Sequence, residues 1–403
     1  MTNRDVPLVS HTIRLTSKKK TGNTGRLTGY LFLFLMMVAL LLAAGCDEPP
    51  NNDIVIVKLT PNATVEWSHV IDSGGNDRAF QIIQTPDNNF VLFCVLPGQN
   101  FRGLVKISPG NTINWKLPMG SGIIQGKNGD IISYDGSDIF RIDAGGNVVR
   151  NITTRHDGDT SSILETPDNG YIVGGVKDDI FENGSEIVYD ERGKFIGQRP
   201  ANEMTGRQMP FRQTTVARLD ARGNVIWQTY LGREGSRDPA LMIIHLDTTQ
   251  GYMVLAGEKI IRLDEEGMYM QITDIDAVPE YDSLSSSQKN LTPFITYLPY
   301  FIFYNSQGMA VAKQTLKRLN VTIAGSTNDG GYIAAGFPGT TRLLWDAPVR
   351  ERGQEGTLHI VKLRMDGSID WDRAVQGPVV NSVSQIMQTS DGGYVLVCGN
   401  DKR

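Results

Sequence analysis

HIVKLRMDGSIDW (359–371), NSVSQIMQT (381–389) and TSDGGYVLVCG (389–399) follow one another near the C-terminus. The first alternates apolar and polar residues up to Lys362, turns at Asp366-Gly367, and ends a second alternating run on Trp371. Side chains of period two around a turn that tolerates positive φ are the pattern of a β-hairpin. The second stretch is a short apolar segment. The third is an Asp-Gly-Gly turn feeding aromatic and β-branched residues, which suit a strand packed on both faces. Together they predict a unit of four strands.

The unit recurs along the chain. The hairpin half returns as IVIVKLTPNATVEW (54–67), GLVKISPGNTINW (103–115) and TVARLDARGNVIW (215–227), with degenerate copies DIFRIDAGGNVVR (138–150) and KIIRLDEEGMYMQ (259–271). The turn-and-strand half returns as TPDNNFVLFC (85–94), TPDNGYIVGG (166–175), TTQGYMVLAG (248–257) and TNDGGYIAAG (327–336), more weakly as GKNGDIISYDG (126–136). DRAFQIIQT (77–85) and DPALMIIHL (238–246) match the short segment. The halves alternate, with a basic anchor at Lys58, Lys106, Arg141, Arg218, Arg262 and Lys362. Two wide gaps predict insertions near 178–213 and 273–320.

Four-stranded repeats at this spacing are propeller blades. The expected fold class is all-β, a β-propeller over 53–403 with six blades, or seven if 273–320 holds a degenerate unit with a hairpin at 300–314. The copies open on a hairpin half and close on a Gly-Tyr half. N- and C-terminal strands are therefore expected to pair and close the ring, covering edges an open array would expose.

The motifs KL-x-x-x-G-x-x-x-W and T-x-D-G-G-Y resemble the repeats of quinoprotein-type, pyrroloquinoline-quinone-like propellers, above all those of surface lipoproteins in bacteria and methanogenic archaea. That resemblance implies a rigid blade scaffold. A quinoprotein dehydrogenase would also need carboxylates and Asn beneath a quinone, a calcium ion and a general base. No residues here can be assigned to those roles, and the adjacent-cysteine pair of some quinoproteins is absent.

Before the repeats, residues 1–26 are polar and basic, and Leu27–Gly45 is an uncharged apolar run. Its length would just span a bilayer, and the basic flank directs the C-terminal side of the run outward. Leu42-Ala43-Ala44-Gly45-Cys46 resembles a lipobox, which implies cleavage before Cys46 and lipidation of its sulfur. The alternative is an uncleaved transmembrane anchor. In both cases 1–46 is a targeting or anchoring segment, 47–52 a tether, and the repeats lie on the exterior face of a membrane.

The formal net charge of −5 argues against nucleic acid, which demands a basic face. Three cysteines and five histidines supply neither a disulfide framework nor a zinc cluster. Cys94 and Cys398 take equivalent places in two units and read as buried free thiols. Trp67, Trp115, Trp227 and Trp371 recur in register and read as packing between blades. Asp87, Asp168, Asp329 and Asp391 recur singly and read as turn stabilisers. No catalytic residue, metal site or cofactor is expected. The non-repeating feature is 290–304, NLTPFITYLPYFIFY, uncharged and aromatic. Phe294, Tyr297, Tyr300, Phe301, Phe303 and Tyr304 are its candidate contacts for a partner or membrane, or for the propeller itself. The expected function is an anchored binding or scaffold module with a protein or glycan partner. The alternatives are a quinoprotein-like dehydrogenase and an envelope assembly factor.

Overall fold

The computed structural model describes residues 51–402 apart from 180–184, 190–194, 201–210, 232–239, 246–250, 257–258, 280–291, 296–299, 305–309, 316–318, 339–356, 365–367 and 378–379. Pro50–Arg403 form one compact unit, separate from Met1–Pro49. Cys46 and the apolar run lie outside the described residues.

Every described element beyond two single-turn 3-10 segments is a strand. β1 (Asn51–Leu59) and β2 (Val65–Ile71) form the first hairpin. Then come β3 (Arg78–Gln84), β4 (Phe90–Leu96), β5 (Phe101–Ile107) and β6 (Ile113–Leu117), a four-stranded antiparallel meander. The next is β7 (Gly122–Gln125), β8 (Ile131–Asp135), β9 (Asp138–Ile142) and β10 (Val148–Thr153). In the third, β11 (Asp159–Glu165) and β12 (Tyr171–Asp179) are joined to β15 (Phe211–Leu219) and β16 (Val225–Tyr230) by a hairpin, β13 (Ser185–Tyr189) with β14 (Phe195–Pro200). The fourth is β17 (Ala240–His245), β18 (Tyr252–Ala256), β19 (Lys259–Leu263) and β20 (Tyr269–Asp274). A three-stranded sheet comes next: β21 (Thr292–Ile295), β22 (Tyr300–Tyr304) and β23 (Ala310–Thr315). The fifth is β24 (Leu319–Ser326), β25 (Tyr332–Pro338), β26 (His359–Leu363) and β27 (Ile369–Ala374). Last are β28 (Ser382–Gln388) and β29 (Tyr394–Lys402), which take β1 and β2 into their sheet in the order β2-β1-β29-β28.

The ring therefore closes between chain-distant strands. β1 pairs with β29 from Asn51↔Lys402 to Leu59↔Tyr394. Innermost strands lie side by side: β28 with β3, β3 with β7, β7 with β11, β11 with β17, and β24 with β28. This is a six-bladed β-propeller. The three-stranded sheet contains the hairpin expected at 300–314 and sits between the fourth and fifth blades in the chain, β21 touching β24. Its third strand carries Lys313 at the place of the basic anchors. That lysine is buried, and its Nζ donates to Ile275 O at 3.1 Å.

The core lies between blades, and strand alternation puts it there. Ile54 and Ile56 of β1 pack with Ile82, Phe90 and Leu92 of the first blade. Val55 and Val57 pack the other way, with Ile333 and Ile360 of the fifth. Successive side chains of a strand point to opposite faces, so one central strand serves two cores. Cys94 and Cys398 are both free and buried, with burial pushing each thiol up to about 12.

Candidate functional site

Strands of an antiparallel meander cross the ring in alternate directions, so the propeller has two unlike faces. One carries the turns between first and second and between third and fourth strands. The other carries the connections between second and third strands and those passing from one blade to the next.

The turn face is regular. In each Thr-x-Asp turn the threonine hydroxyl donates to the aspartate, at 2.5 Å for Thr327–Asp329 and 2.6 Å for Thr389–Asp391. The same aspartates bind the basic anchors: Asp391 to Lys58 at 2.8 Å, Asp87 to Lys106 at 2.7 Å, Asp168 to Arg218 at 2.9 Å, and Asp329 to Lys362 at 2.9 Å. In the second blade Arg141 takes Asp130 and Glu165 instead. The repeated aspartates are thus turn stabilisers and counter-ions together. The sequence carried the signal for the second role, because aspartate and cation recur at fixed places in the same units. The second and fourth blades, with Asn128 and Thr249 where the other four have aspartate, depart from the rule.

These pairs set an acid limit. The Thr327 hydroxyl and Lys362 hold Asp329 at about 2 against an ordinary 3.8. For Asp391, burial pushes upward but Lys58 and Thr389 outweigh it, again leaving about 2. A depressed folded-state pKa contributes stability that is full above 3.8 and lost as pH falls towards about 2. The urea midpoint is expected to drop through that window, less steeply in Asp391→Asn.

The tryptophans pack one blade on the next. Trp115 Nε1 donates to Ala144 O at 3.2 Å and Trp227 Nε1 to Glu265 O at 2.8 Å. Trp67 meets Phe90, Trp227 meets Tyr252 and Trp371 meets Tyr394, with centroids 5.8, 5.8 and 6.1 Å apart. A glycine of the neighbouring turn lies on the ring. Gly146 has φ +86, and a Cβ there would stand 2.9 Å from the Trp115 indole. Gly146→Ala is expected to destabilise by on the order of 1–3 kcal/mol in urea unfolding, through strain and collision. Gly110→Ala, with only Ser108 Oγ at 3.7 Å, is expected to leave the midpoint unchanged.

Glutamines tie the inner strands. Gln385 Oε1 accepts from Ile82 N and Gln81 Oε1 from Ile123 N, each at 2.6 Å. Gln84 reaches Ser390 N and Gln388 reaches Asn328 N, each at 2.7 Å. Glu165 plays the same part towards Lys127 N.

The loop face is irregular, its connections differing in length and sequence from blade to blade. At ring closure the carboxylates of Asp53, Asp72 and Asp77 each bring an oxygen within 4.8 Å of the others. Asp53 and Asp77 are buried. Asp77 accepts from Ser73 N at 2.6 Å and from the Ser73 hydroxyl, and its own N–H donates to Asn52 O at 2.7 Å. The Oδ1 atoms of Asn52 and Asn76 are buried without a hydrogen-bond partner among the described residues. Such an all-oxygen set is what a hard cation would take. Spacing alone does not disclose it, since Asp53 reaches the other two only through the hairpin of β1 and β2.

A second cluster lies between the second and third blades. Asp157 accepts from Tyr230 Oη at 2.6 Å and Lys177 Nζ at 3.1 Å, and Gln228 bonds its main chain. His156 is buried between two threonines. Thr154 Oγ1 donates to Ser137 O, so it accepts from Nδ1–H at 2.6 Å; Thr160 then donates to Nε2 at 3.2 Å. Burial holds this imidazole below its ordinary 6.5, which favours the neutral form.

Of the aromatic insertion, Phe294 falls on β21, and Tyr300, Phe301, Phe303 and Tyr304 on β22. Their side-chain surroundings, and Tyr297, lie outside the described residues.

No protein-family model and no curated protein matches the chain. Among solved structures it is similar to a catalytically inactive virginiamycin B lyase from Staphylococcus aureus with quinupristin, at 12% identity and TM-score 0.47, covering 86% of this chain and 99% of that one. It is similar to BBS1N in complex with ARL6DN, at 11% identity and TM-score 0.41, covering 80% and 91%. A protein of unknown function from Bacteroides caccae matches at 15% identity and TM-score 0.38, covering 68% and 89%. The propeller assignment rests on the strand order, and no activity is carried over from these proteins.

Proposed function

We propose that this chain is a binding or scaffold module held on the exterior face of a membrane by its N-terminal segment, with a protein or glycan partner and no catalytic role. The observation that supports this is the division of labour between residues. The recurring Trp and Gln side chains are consumed in packing blade on blade, and the recurring Asp and Lys side chains in fixing the turns within each blade. The connections that differ from blade to blade gather on one face, where loops on a rigid scaffold supply specificity. The likeness to quinoprotein-type repeats enters as a scaffold likeness, because the recurring residues serve packing and turns wherever they occur.

Fractionation tests the anchor. The wild-type chain is expected in the membrane fraction with incorporated fatty acid, and Cys46→Ser is expected to lose the acyl label. A wild-type chain that is membrane-bound, carries no acyl label and keeps Leu27–Gly45 would mark that run as the anchor. A soluble wild-type chain would sink the reading.

A further inference from the structure

The place where the chain enters the ring decides how an anchored propeller must face. β1 begins at Asn51, paired with Lys402, and reaches the turn face only at Leu59, paired with Tyr394. Asn51 therefore opens on the loop face. So do Ile71, which leads into Asp72–Asp77, and Leu96, which leads into Pro97–Asn100. The connection from Asp274 at the end of β20 to Leu319 at the start of β24 leaves and rejoins the same face, and it carries the uncharged segment 290–304.

The tether is short. Cys46 to Asn51 is a handful of peptide steps, spanning roughly 18 Å even when fully extended. Pro49 and Pro50 restrict it further. β1 has nine residues and so measures about 30 Å from face to face. Turning the ring over would require the tether to run past the full height of a blade, which is beyond its reach.

We propose that the loop face is a membrane-contact surface lying against the lipid bilayer, with the turn face directed outward. This rests on the anchored reading above, and holds for a lipid on Cys46 or a helix ending at Gly45 alike. A protein or glycan partner of the loop face would then meet it at the membrane surface.

Fluorophore quenching by lipid tests the orientation in the full chain, reconstituted in phosphatidylcholine vesicles containing quencher-labelled lipid. Single cysteines at Gln99→Cys and Arg155→Cys label the loop face, and Asn62→Cys and Arg222→Cys the turn face; all four positions are exposed. Cys94 and Cys398 are buried, and the parent chain corrects for Cys46. Loss of fluorescence at Gln99 and Arg155, with none at Asn62 and Arg222, is the expected result. Quenching on the turn face, on both faces equally, or on neither in a chain that floats with the vesicles overturns the orientation alone. A parent chain that fails to float removes the anchor, and the orientation with it.

Discussion

Val55→Pro is expected to lose about 3 kcal/mol or more of stability, the cost of proline inside a hydrogen-bonded element. Val55 sits in mid-strand in β1, which pairs with β2 on one side and β29 on the other. A central strand leaves no N–H free of the ladder, so proline removes a bond and forces the strand apart. The consequence is larger here than in an ordinary blade. The pairing from Asn51↔Lys402 to Leu59↔Tyr394 is what turns an open array into a ring, and losing it exposes two sheet edges. Val55 also packs against the fifth blade, so a distorted β1 loosens a second interface. Urea unfolding followed by tryptophan fluorescence reads the effect. Val149→Pro is the comparison. Val149 stands at an irregularity of the exposed outer strand β10, where proline is tolerated, and a small change is expected. Equal midpoints for Val55→Pro and the wild-type chain would reject the closure as a source of stability.

The architecture is legible in the sequence because its signals are local. Lys362 followed by Asp366-Gly367 and Trp371 specifies a hairpin without reference to the rest of the chain, and so does each copy. The closing pair is legible too, since the first copy begins with one half-unit and the last ends with the other. What escapes local reading depends on the ring. Asp168 and Arg218 are separated by the whole insertion that holds β13 and β14, so their pairing appears only once β12 and β15 lie side by side. The Asp53–Asp72–Asp77 cluster likewise assembles where β1, β2 and the loop into β3 meet. In the aromatic insertion, the strand signal of 300–314 is strong enough to read. Its placement in a connection between blades is not, because nothing local tells a fourth-to-first connection from a widened turn.

The ion pairs on the turn face carry the second large effect, and its sign depends on which partner is removed. Lys106 is 2% exposed in its side chain, while Asp87 is 44% exposed. Burial raises the Asp87 carboxyl, and Lys106, Thr85 and Asn89 more than reverse this, so it stays ionised well below the usual carboxylate range. Asp87→Ala strands a buried ammonium with only Ala144 O at 2.8 Å to receive it. Orphaning one member of a fully buried pair costs about 3–5 kcal/mol, and the water that reaches Asp87 lowers the expected loss here to roughly 2 kcal/mol. Lys106→Met keeps the apolar stem and leaves Asp87 facing solvent, so it is expected to cost less. Asp87→Ala combined with Lys106→Met should recover most of what Asp87→Ala loses, because no buried charge remains to be compensated. The double-mutant cycle, measured by urea unfolding at neutral pH, distinguishes this from simple additivity. If the two losses add, the pair is a surface contact and the lysine is not the charge that the turn was built to hold.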